Sequence, residues 1–270
     1  MTTKEIIETI GITSFMFIFT LVFAHSHRIF KKSTLSSYLK CFACGVIIAA
    51  IIFDTARDLY EDQDFKGWCS NIGPLSAGLS FLLLVWIDKL YLAINQGEHD
   101  SVPEDISLKK AVVFVLALSI HSFLEGLGFA AKSNKRNDLG CYLLVILGHK
   151  WMEAFALGVS VANAPFIKNT ANWLLILYSA LTPIGMIVSK MILIFFNKHF
   201  KEMILCILTG VSTGSFFYIG FVEMLHSEFE EHNHSKSNSK KTRSKLAAIT
   251  LGFASMAVIF TCLGATIGLD

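Results

Sequence analysis

The sequence has no strong charge imbalance and no paired cysteines. Its formal net charge is +2 over 270 residues, so it offers no overall electrostatic basis for binding nucleic acid. The six cysteines are scattered, and all except Cys69 lie in or beside apolar runs, so no disulfide framework is predicted. Cys41 and Cys44 have the spacing of a metal or redox pair. No second pair matches them, and small buried thiols are the favoured interpretation.

The N-terminal region also lacks the charge pattern of a cleavable signal peptide. Residues 10–24 are almost wholly apolar, and the basic residues Arg28, Lys31 and Lys32 come after them. A signal peptide carries its positive charge before the apolar core. We therefore expect a retained membrane span whose N-terminus lies outside the cytosol.

Apolar residues, by contrast, are abundant. They make up 53% of the chain, the mean hydropathy is +0.57 and there are 23 phenylalanines, which is typical of a membrane protein. Eight runs approach the ~20 residues that a helix needs to cross the hydrocarbon core. They lie at residues 10–24, 40–58, 73–94, 109–131, 140–164, 171–196, 201–225 and 246–269. Because backbone groups cannot stay unpaired in lipid, we predict an all-α membrane protein with eight transmembrane helices in a single domain, residues 1–270.

The connecting segments support one orientation of these helices. With the N-terminus outside, the inner connections carry more lysines and arginines than the outer ones, although a basic cluster at 132–136 opposes this pattern. An even number of spans returns the C-terminus to the starting side. We therefore predict an integral membrane protein with both termini outside the cytosol, and we expect the plasma membrane.

The segment 226–245 differs abruptly in composition from the apolar runs. It is rich in charged residues, serine and asparagine, and it contains His226, His232 and His234. Low hydrophobicity combined with high charge cannot bury a core, so we predict a flexible loop between the seventh and eighth spans. Its histidines could hold zinc weakly, and the alternative is a solvated linker with incidental histidines.

Two histidine–glutamate pairs lie deep inside the fourth and fifth apolar runs. His121 precedes Glu125 by one helical turn, and His149 precedes Glu153 by the same interval, so each pair lies on one helix face. Ionisable groups at this depth are costly and need a partner. Two imidazoles and two carboxylates suit a borderline divalent ion such as zinc, whereas calcium and magnesium prefer oxygen ligands. The alternative for any one of them is a satisfied hydrogen bond within the membrane.

The two segments that contain these pairs resemble the signature helices of the ZIP family of zinc transporters, in the form seen in its animal plasma-membrane importers. The resemblance extends from about residue 45 to the end, with similar stretches at 54–58, 181–185 and 214–223. It implies eight spans in an inverted 3+2+3 repeat around the fourth and fifth helices, with the binding site at the repeat interface. It also implies a primary metal site formed by His121, Glu125, His149 and Glu153.

The resemblance further implies a second, adjacent metal site in binuclear members of the family. This sequence has Ser122, Lys150 and Thr182 at the positions that would form it. An ammonium at Lys150 is too deep to reach the membrane surface, and it would supply the positive charge that a second ion would otherwise bring. We therefore predict a mononuclear site. The alternative is that Lys150 pairs with Asp54 or Asp88.

Further acids are candidates for the ion pathway. Asp54 and Asp58 lie at the outer end of the second span, where acids would concentrate cations by electrostatic focusing. Asp88 in the third span and Glu223 in the seventh are candidates for the exit path or for a counter-charge to Lys150. Pro183 removes a backbone donor from the sixth span and predicts a kink there.

The sequence therefore predicts a transporter, not an enzyme, that moves zinc toward the cytosol by alternating access. We expect some tolerance of Fe2+, Mn2+ and Cd2+, and no catalytic cofactor. Two alternatives are a non-transporting membrane zinc sensor and an intramembrane zinc hydrolase, which would need an open coordination position and a general base. The expected partners are the lipid bilayer and divalent metal ions. Small residues on the helices allow a homodimer without requiring one.

Overall fold

The computed structural model describes residues 3–28, 34–61, 71–95, 103–129, 136–195, 198–230 and 239–267, which are almost entirely helical. The long helices are α1 (Thr3–His25), α2 (Thr34–Ala50), α3 (Ile72–Asn95), α4 (Pro103–Leu127), α5 (Arg136–Asn163), α6 (Lys168–Phe195), α7 (Lys198–Phe217) and α8 (Ser239–Ile267). Two of them continue beyond these bounds. α2 runs on through a π-helical segment, Ile51–Thr55, and α7 through another, Tyr218–His226.

The lengths and surfaces of these helices fit a lipid bilayer. Seven are long and apolar enough to cross a membrane, and α4 contributes a shorter apolar stretch, Ala111–Leu127. Their outward faces carry large exposed apolar side chains, as on α3, where Leu75, Leu79, Leu82 and Trp86 are exposed. Such surfaces are stable against hydrocarbon. The prediction of an all-α membrane protein is confirmed.

The contacts between helices are symmetric: those made by the first three helices correspond to those made by the last three. α2 packs along α8 and α3 along α7, while α1 packs against α5 and α4 against α6. In addition, α5 contacts α2, α4 contacts α7, and α4 and α5 contact each other. Exchanging α1 with α6, α2 with α7, α3 with α8 and α4 with α5 turns each of these contacts into another of the same set, except that between α4 and α5, which is unchanged. The pattern fits an inverted repeat around α4 and α5.

Glycines allow the central helices to approach their outer neighbours closely. A Cβ atom at Gly126 of α4 would lie 2.3 Å from the carbonyl oxygen of Thr182 in α6, and one at Gly185 would lie equally close to the backbone of α4. On the other side of the repeat, a Cβ atom at Gly158 of α5 would lie 2.1 Å from the carbonyl oxygen of Ala24 in α1. Backbone cannot yield at such distances, so these contacts require glycine.

The two π-helical segments occupy equivalent places in the repeat, and each carries an acid. Asp54 lies in the segment that follows α2, and Glu223 lies in the segment that follows α7. The Tyr218 hydroxyl donates a hydrogen bond to Glu223 at 2.9 Å. π-Helical turns inside α-helices are frequent at functional sites, and both acids are half-buried rather than solvated.

The structure differs from the predicted loop over 226–245 at both ends of the segment, which are helical. Helix continues through His226 and the short segment Ser227–Glu230, and α8 begins at Ser239. Residues 231–238, which include His232 and His234, lie outside the described residues. The composition of this segment suggested solvated chain, but its two described ends contact each other, and one of them also contacts α2.

Glu228 and Lys245 make these contacts. The Lys245 ammonium, 1% exposed, donates to the Glu228 carboxylate at 3.0 Å and to the Glu228 carbonyl oxygen at 2.7 Å. From α2, Ser37 donates to the same carboxylate at 2.8 Å, and the Lys40 ammonium lies 3.6 Å from it. The cluster therefore ties the end of α7 and the start of α8 to the start of α2.

Substitution of Glu228 by glutamine tests this cluster. Burial raises the pKa of Glu228, but the charge of Lys40 and the hydrogen bonds from Lys245 and Ser37 outweigh burial, so its pKa lies below its usual range. A carboxylate with a lowered folded pKa adds stability above its unfolded pKa, about 4.3, and this contribution disappears as the pH falls through the folded value. We expect Glu228→Gln to lose about 3 kcal/mol at neutral pH, because Lys245 stays buried without its counter-charge.

The measurement is the apparent Tm of purified protein in detergent between pH 7 and pH 3. The difference between wild type and Glu228→Gln should shrink as the pH falls below about 4. Glu8→Gln, at an exposed position on α1, is the matched control and should unfold like wild type at every pH. A difference that stays constant with pH would rule out the ion pair as its cause.

Candidate metal centre

Four potential metal ligands converge between α4 and α5. His121 and Glu125 of α4 and His149 and Glu153 of α5 each offer one ligand atom, and these atoms all lie within 4.8 Å of one another. Their side chains are 1%, 7%, 2% and 0% exposed respectively, so the cluster is almost completely shielded from solvent. Each helix contributes one histidine and one glutamate because the two residues of a pair are one turn apart on the same face.

The distances within the cluster are those of groups that face a common point. His149 Nε2 lies 2.8 Å from Glu125 Oε1 and 3.6 Å from Glu153 Oε1, and His121 Nε2 lies 3.4 Å from Glu153 Oε1. Among the described residues, His121 Nε2 and Glu153 Oε1 are buried without a hydrogen-bond partner. Buried polar atoms without partners cost free energy, and a cation between them would remove that cost.

Lys150 supplies a fixed positive charge on one side of the cluster. Its ammonium, 0% exposed, lies 2.6 Å from Glu125 Oε2 and 3.0 Å from Glu153 Oε2, and it donates to Ser122 Oγ at 3.0 Å. Each carboxylate therefore turns Oε2 toward the lysine and Oε1 toward the imidazoles. Of the two alternative partners, Asp88 instead has the ammonium of Lys89 at 3.3 Å.

Short hydroxyl side chains occupy the remaining space beside Lys150. Ser122 and Thr182 lie in hydrogen-bond contact, 2.8 Å apart, and the Thr182 hydroxyl also lies 3.4 Å from Glu125 Oε2. Thr182 precedes Pro183, which is buried inside α6 without ending that helix. At the positions that the resemblance assigns to a second metal site, the chain thus has two hydroxyls and one ammonium. An ammonium cannot act as a metal ligand, and neutral hydroxyls are poor zinc ligands.

Tyr178 is a part of the site that sequence reasoning missed. Its hydroxyl donates to Glu153 Oε2 at 3.1 Å, and its ring lies beneath the Lys150 ammonium at 5.4 Å from the ring centroid. The side chain is 1% exposed. Tyr178 stands one turn before Thr182 on α6, so the spacing from Thr182 was the signal that could have identified it.

The other predicted residues that the structure describes are not among the four converging ligands. Asp54 and Glu223 lie in the π-helical segments, Asp88 is buried in α3, and His226 is exposed at the end of its segment. The side chain of Asp58, like His232 and His234, lies outside the described residues. Cys41 and Cys44 are buried free thiols, as the favoured interpretation predicted.

Apolar helices that bury a cluster of four potential ligands define a membrane protein with a candidate metal site in its interior. The model of the family described as ZIP Zinc transporter matches residues 94–260, more than half of the chain, and the chain belongs to this family. The matched region contains α4, α5 and all four ligands of the cluster.

Individual relatives match the chain to different extents. It is 30% identical to Protein zntC of Dictyostelium discoideum over 150 residues, which cover 55% of this chain and 35% of zntC. It is 25% identical to Zinc transporter ZIP2 of Homo sapiens over 150 residues, covering 56% and 46%. It is 22% identical to Zinc transporter ZIP1 of Danio rerio over 263 residues, covering 83% and 84%. The chain thus spans less than half of the first two relatives and most of the third.

Substitution of Lys150 by methionine tests the charge balance of the cluster. Without the ammonium, the two carboxylates remain buried beside each other uncompensated, and removal of one partner of a buried pair costs about 3–5 kcal/mol. We expect the apparent Tm of metal-free Lys150→Met in detergent to fall well below that of wild type, and zinc to recover part of the loss. Lys168→Met removes a lysine at an exposed position at the start of α6 and should change little. Equal stability of Lys150→Met and Lys168→Met would contradict the assignment.

Proposed function

We propose that this chain carries a divalent transition-metal ion, primarily zinc, across the membrane toward the cytosol. The observation that carries the proposal is the buried cluster of two imidazoles and two carboxylates between α4 and α5. Imidazole nitrogen with carboxylate oxygen is a donor set that zinc accepts readily, and Fe2+, Mn2+ and Cd2+ are expected as poorer substrates. Membership of the ZIP Zinc transporter family supports the same activity.

The proposed mechanism is alternating access around this cluster. The ion enters from the outer side past Asp54, exchanges water for His121, Glu125, His149 and Glu153, and leaves toward the inner side near Asp88 and Glu223. The position of Glu125 supports entry on its side of the cluster. Its side chain is the most exposed of the four ligands and lies close to the outer end of α4. An inverted repeat allows the two halves to exchange their packing between an outward-open and an inward-open state, as alternating access requires.

The proposed setting is a plasma membrane in which the start of α1 and the end of α8 lie outside the cytosol. Lipid covers the exposed apolar faces, and His226 would meet the ion on the inner side. A homodimer is compatible with these faces. Catalysis forms no part of the proposal, since all four inward groups serve as ligands and none is left as a general base.

Zinc flux into liposomes tests the transport. Wild-type protein in zinc-free liposomes should raise the internal signal of a zinc-sensitive dye well above that of empty liposomes. We expect Glu153→Ala to lower this flux by more than about 10-fold, because even outer partners of metal ligands contribute about 10- to 100-fold to affinity. Glu8→Ala, at an exposed position, is the matched control. Wild-type flux equal to that of empty liposomes would refute transport, and undiminished flux in Glu153→Ala would refute the site.

Metal stoichiometry tests whether the site is mononuclear. Since Lys150 supplies the charge and Ser122 and Thr182 supply no carboxylate, we expect one tightly bound zinc ion per chain. The measurement is elemental analysis of protein equilibrated with zinc, in a variant with His226, His232 and His234 replaced by asparagine so that these histidines do not contribute. Loss of that ion in Glu153→Ala assigns it to the cluster. Two ions that both disappear in Glu153→Ala would overturn the mononuclear assignment.

A further inference from the structure

His121 is held by a third helix that supplies no metal ligand. Two atoms of Ser212 in α7 lie beside its Nδ1 atom, the backbone carbonyl oxygen at 3.2 Å and the hydroxyl oxygen at 3.1 Å. A carbonyl oxygen can only accept a hydrogen bond, so this contact is favourable only when Nδ1 carries the proton. The lone pair is then on Nε2, the atom that faces Glu153 Oε1.

Phe216 fixes the same imidazole from its face. The two rings are nearly parallel, at an angle of 12° and with centroids 3.8 Å apart, and the Phe216 ring also lies 5.6 Å from the ring of His149. Phe216 is 0% exposed, and Ser212 is 6% exposed. The two residues are one turn apart on the same face of α7. The helix therefore contacts both the edge and the plane of the His121 ring.

The geometry points to Ser212 and Phe216 as positioning residues that set the metal selectivity of the cluster through His121. Ser212 fixes which nitrogen presents its lone pair, and Phe216 fixes the plane in which that lone pair points. The inference rests on the proposed metal site and deepens it. It gives α7 a role in metal binding, although α7 supplies no ligand and the histidine–glutamate motifs lie on α4 and α5.

Selectivity follows from the chemical difference between the ligands. Imidazole nitrogen favours zinc over manganese, whereas carboxylate oxygen suits manganese well. Lys150 of α5 holds Glu125 and Glu153, so we expect both carboxylates to stay in place when α7 is altered. Loosening the ring of His121 therefore weakens a contact that matters more for Zn2+ than for Mn2+. The expected result is a lower ratio of zinc affinity to manganese affinity, not a uniform loss of binding.

Binding of Zn2+ and of Mn2+ to purified full-length protein, measured separately by calorimetry in detergent, tests this inference. Phe216→Leu keeps an apolar side chain and removes the stacked ring, and Ser212→Ala removes one oxygen and leaves the backbone carbonyl. We expect Phe216→Leu to weaken zinc binding by about 10-fold or more, the size of effect that outer partners of ligands have, and to weaken manganese binding much less. Ser212→Ala keeps the carbonyl contact with Nδ1 and should lower the ratio in the same direction by a smaller factor. Ser212→Ala is a deletion of one atom and covers the case in which Phe216→Leu does not fold.

Matched controls come from the same bundle. Phe217→Leu removes the neighbouring ring, which stacks on Phe221 instead of His121, and Ser189→Ala removes a buried hydroxyl that donates to the carbonyl oxygen of Met186. Both should keep the wild-type ratio of affinities. A wild-type protein that binds no zinc overturns the proposed site together with this inference. Wild-type zinc binding with an unchanged ratio in both test variants, or an equal loss for both metals, overturns the inference alone.

Discussion

The contact between Lys150 and two glutamates is the interaction on which the rest of the site depends. Two carboxylates buried side by side in a bilayer repel each other and have lost their hydration, a penalty of several kcal/mol for each charge. The ammonium lies within 3.0 Å of an oxygen of each, and Tyr178 and Ser122 supply further hydrogen bonds. With one oxygen of each carboxylate satisfied in this way, the other oxygen of each faces the imidazoles.

The bundle holds these groups at fixed distances through close backbone contacts. Gly126 and Gly185 bring α4 and α6 together where Thr182 meets Ser122, and Gly158 does the same for α5 and α1. Small residues have this role in lipid because hydrocarbon gives helices no hydrophobic reason to associate. The ligand pairs on α4 and α5 therefore depend on outer helices that contribute no ligand.

The sequence was sufficient for whatever depends on spacing within one helix. The apolar runs predicted the spans, and the one-turn interval predicted that His121 lies beside Glu125 on α4. It was insufficient wherever the partner comes from another helix. It left Lys150 with several possible partners, and it missed Tyr178 because a tyrosine in an apolar run resembles core or lipid-facing surface. It also predicted disorder near Glu228, because the composition of a segment does not reveal that Ser37 and Lys40 of a distant helix contact it.

The fixed lysine also determines how the membrane voltage acts on a carrier of this kind. With both imidazoles neutral, two carboxylates and one ammonium give the metal-free site a formal charge of −1, and a divalent ion changes it to +1. The cost of burying charge grows with its square, so the metal-free site at −1 and the metal-bound site at +1 meet similar barriers. Without the lysine, the metal-free site would carry a charge of −2 when it returns. For inward transport, a potential that is negative inside favours both the inward movement of the positive form and the outward return of the negative one.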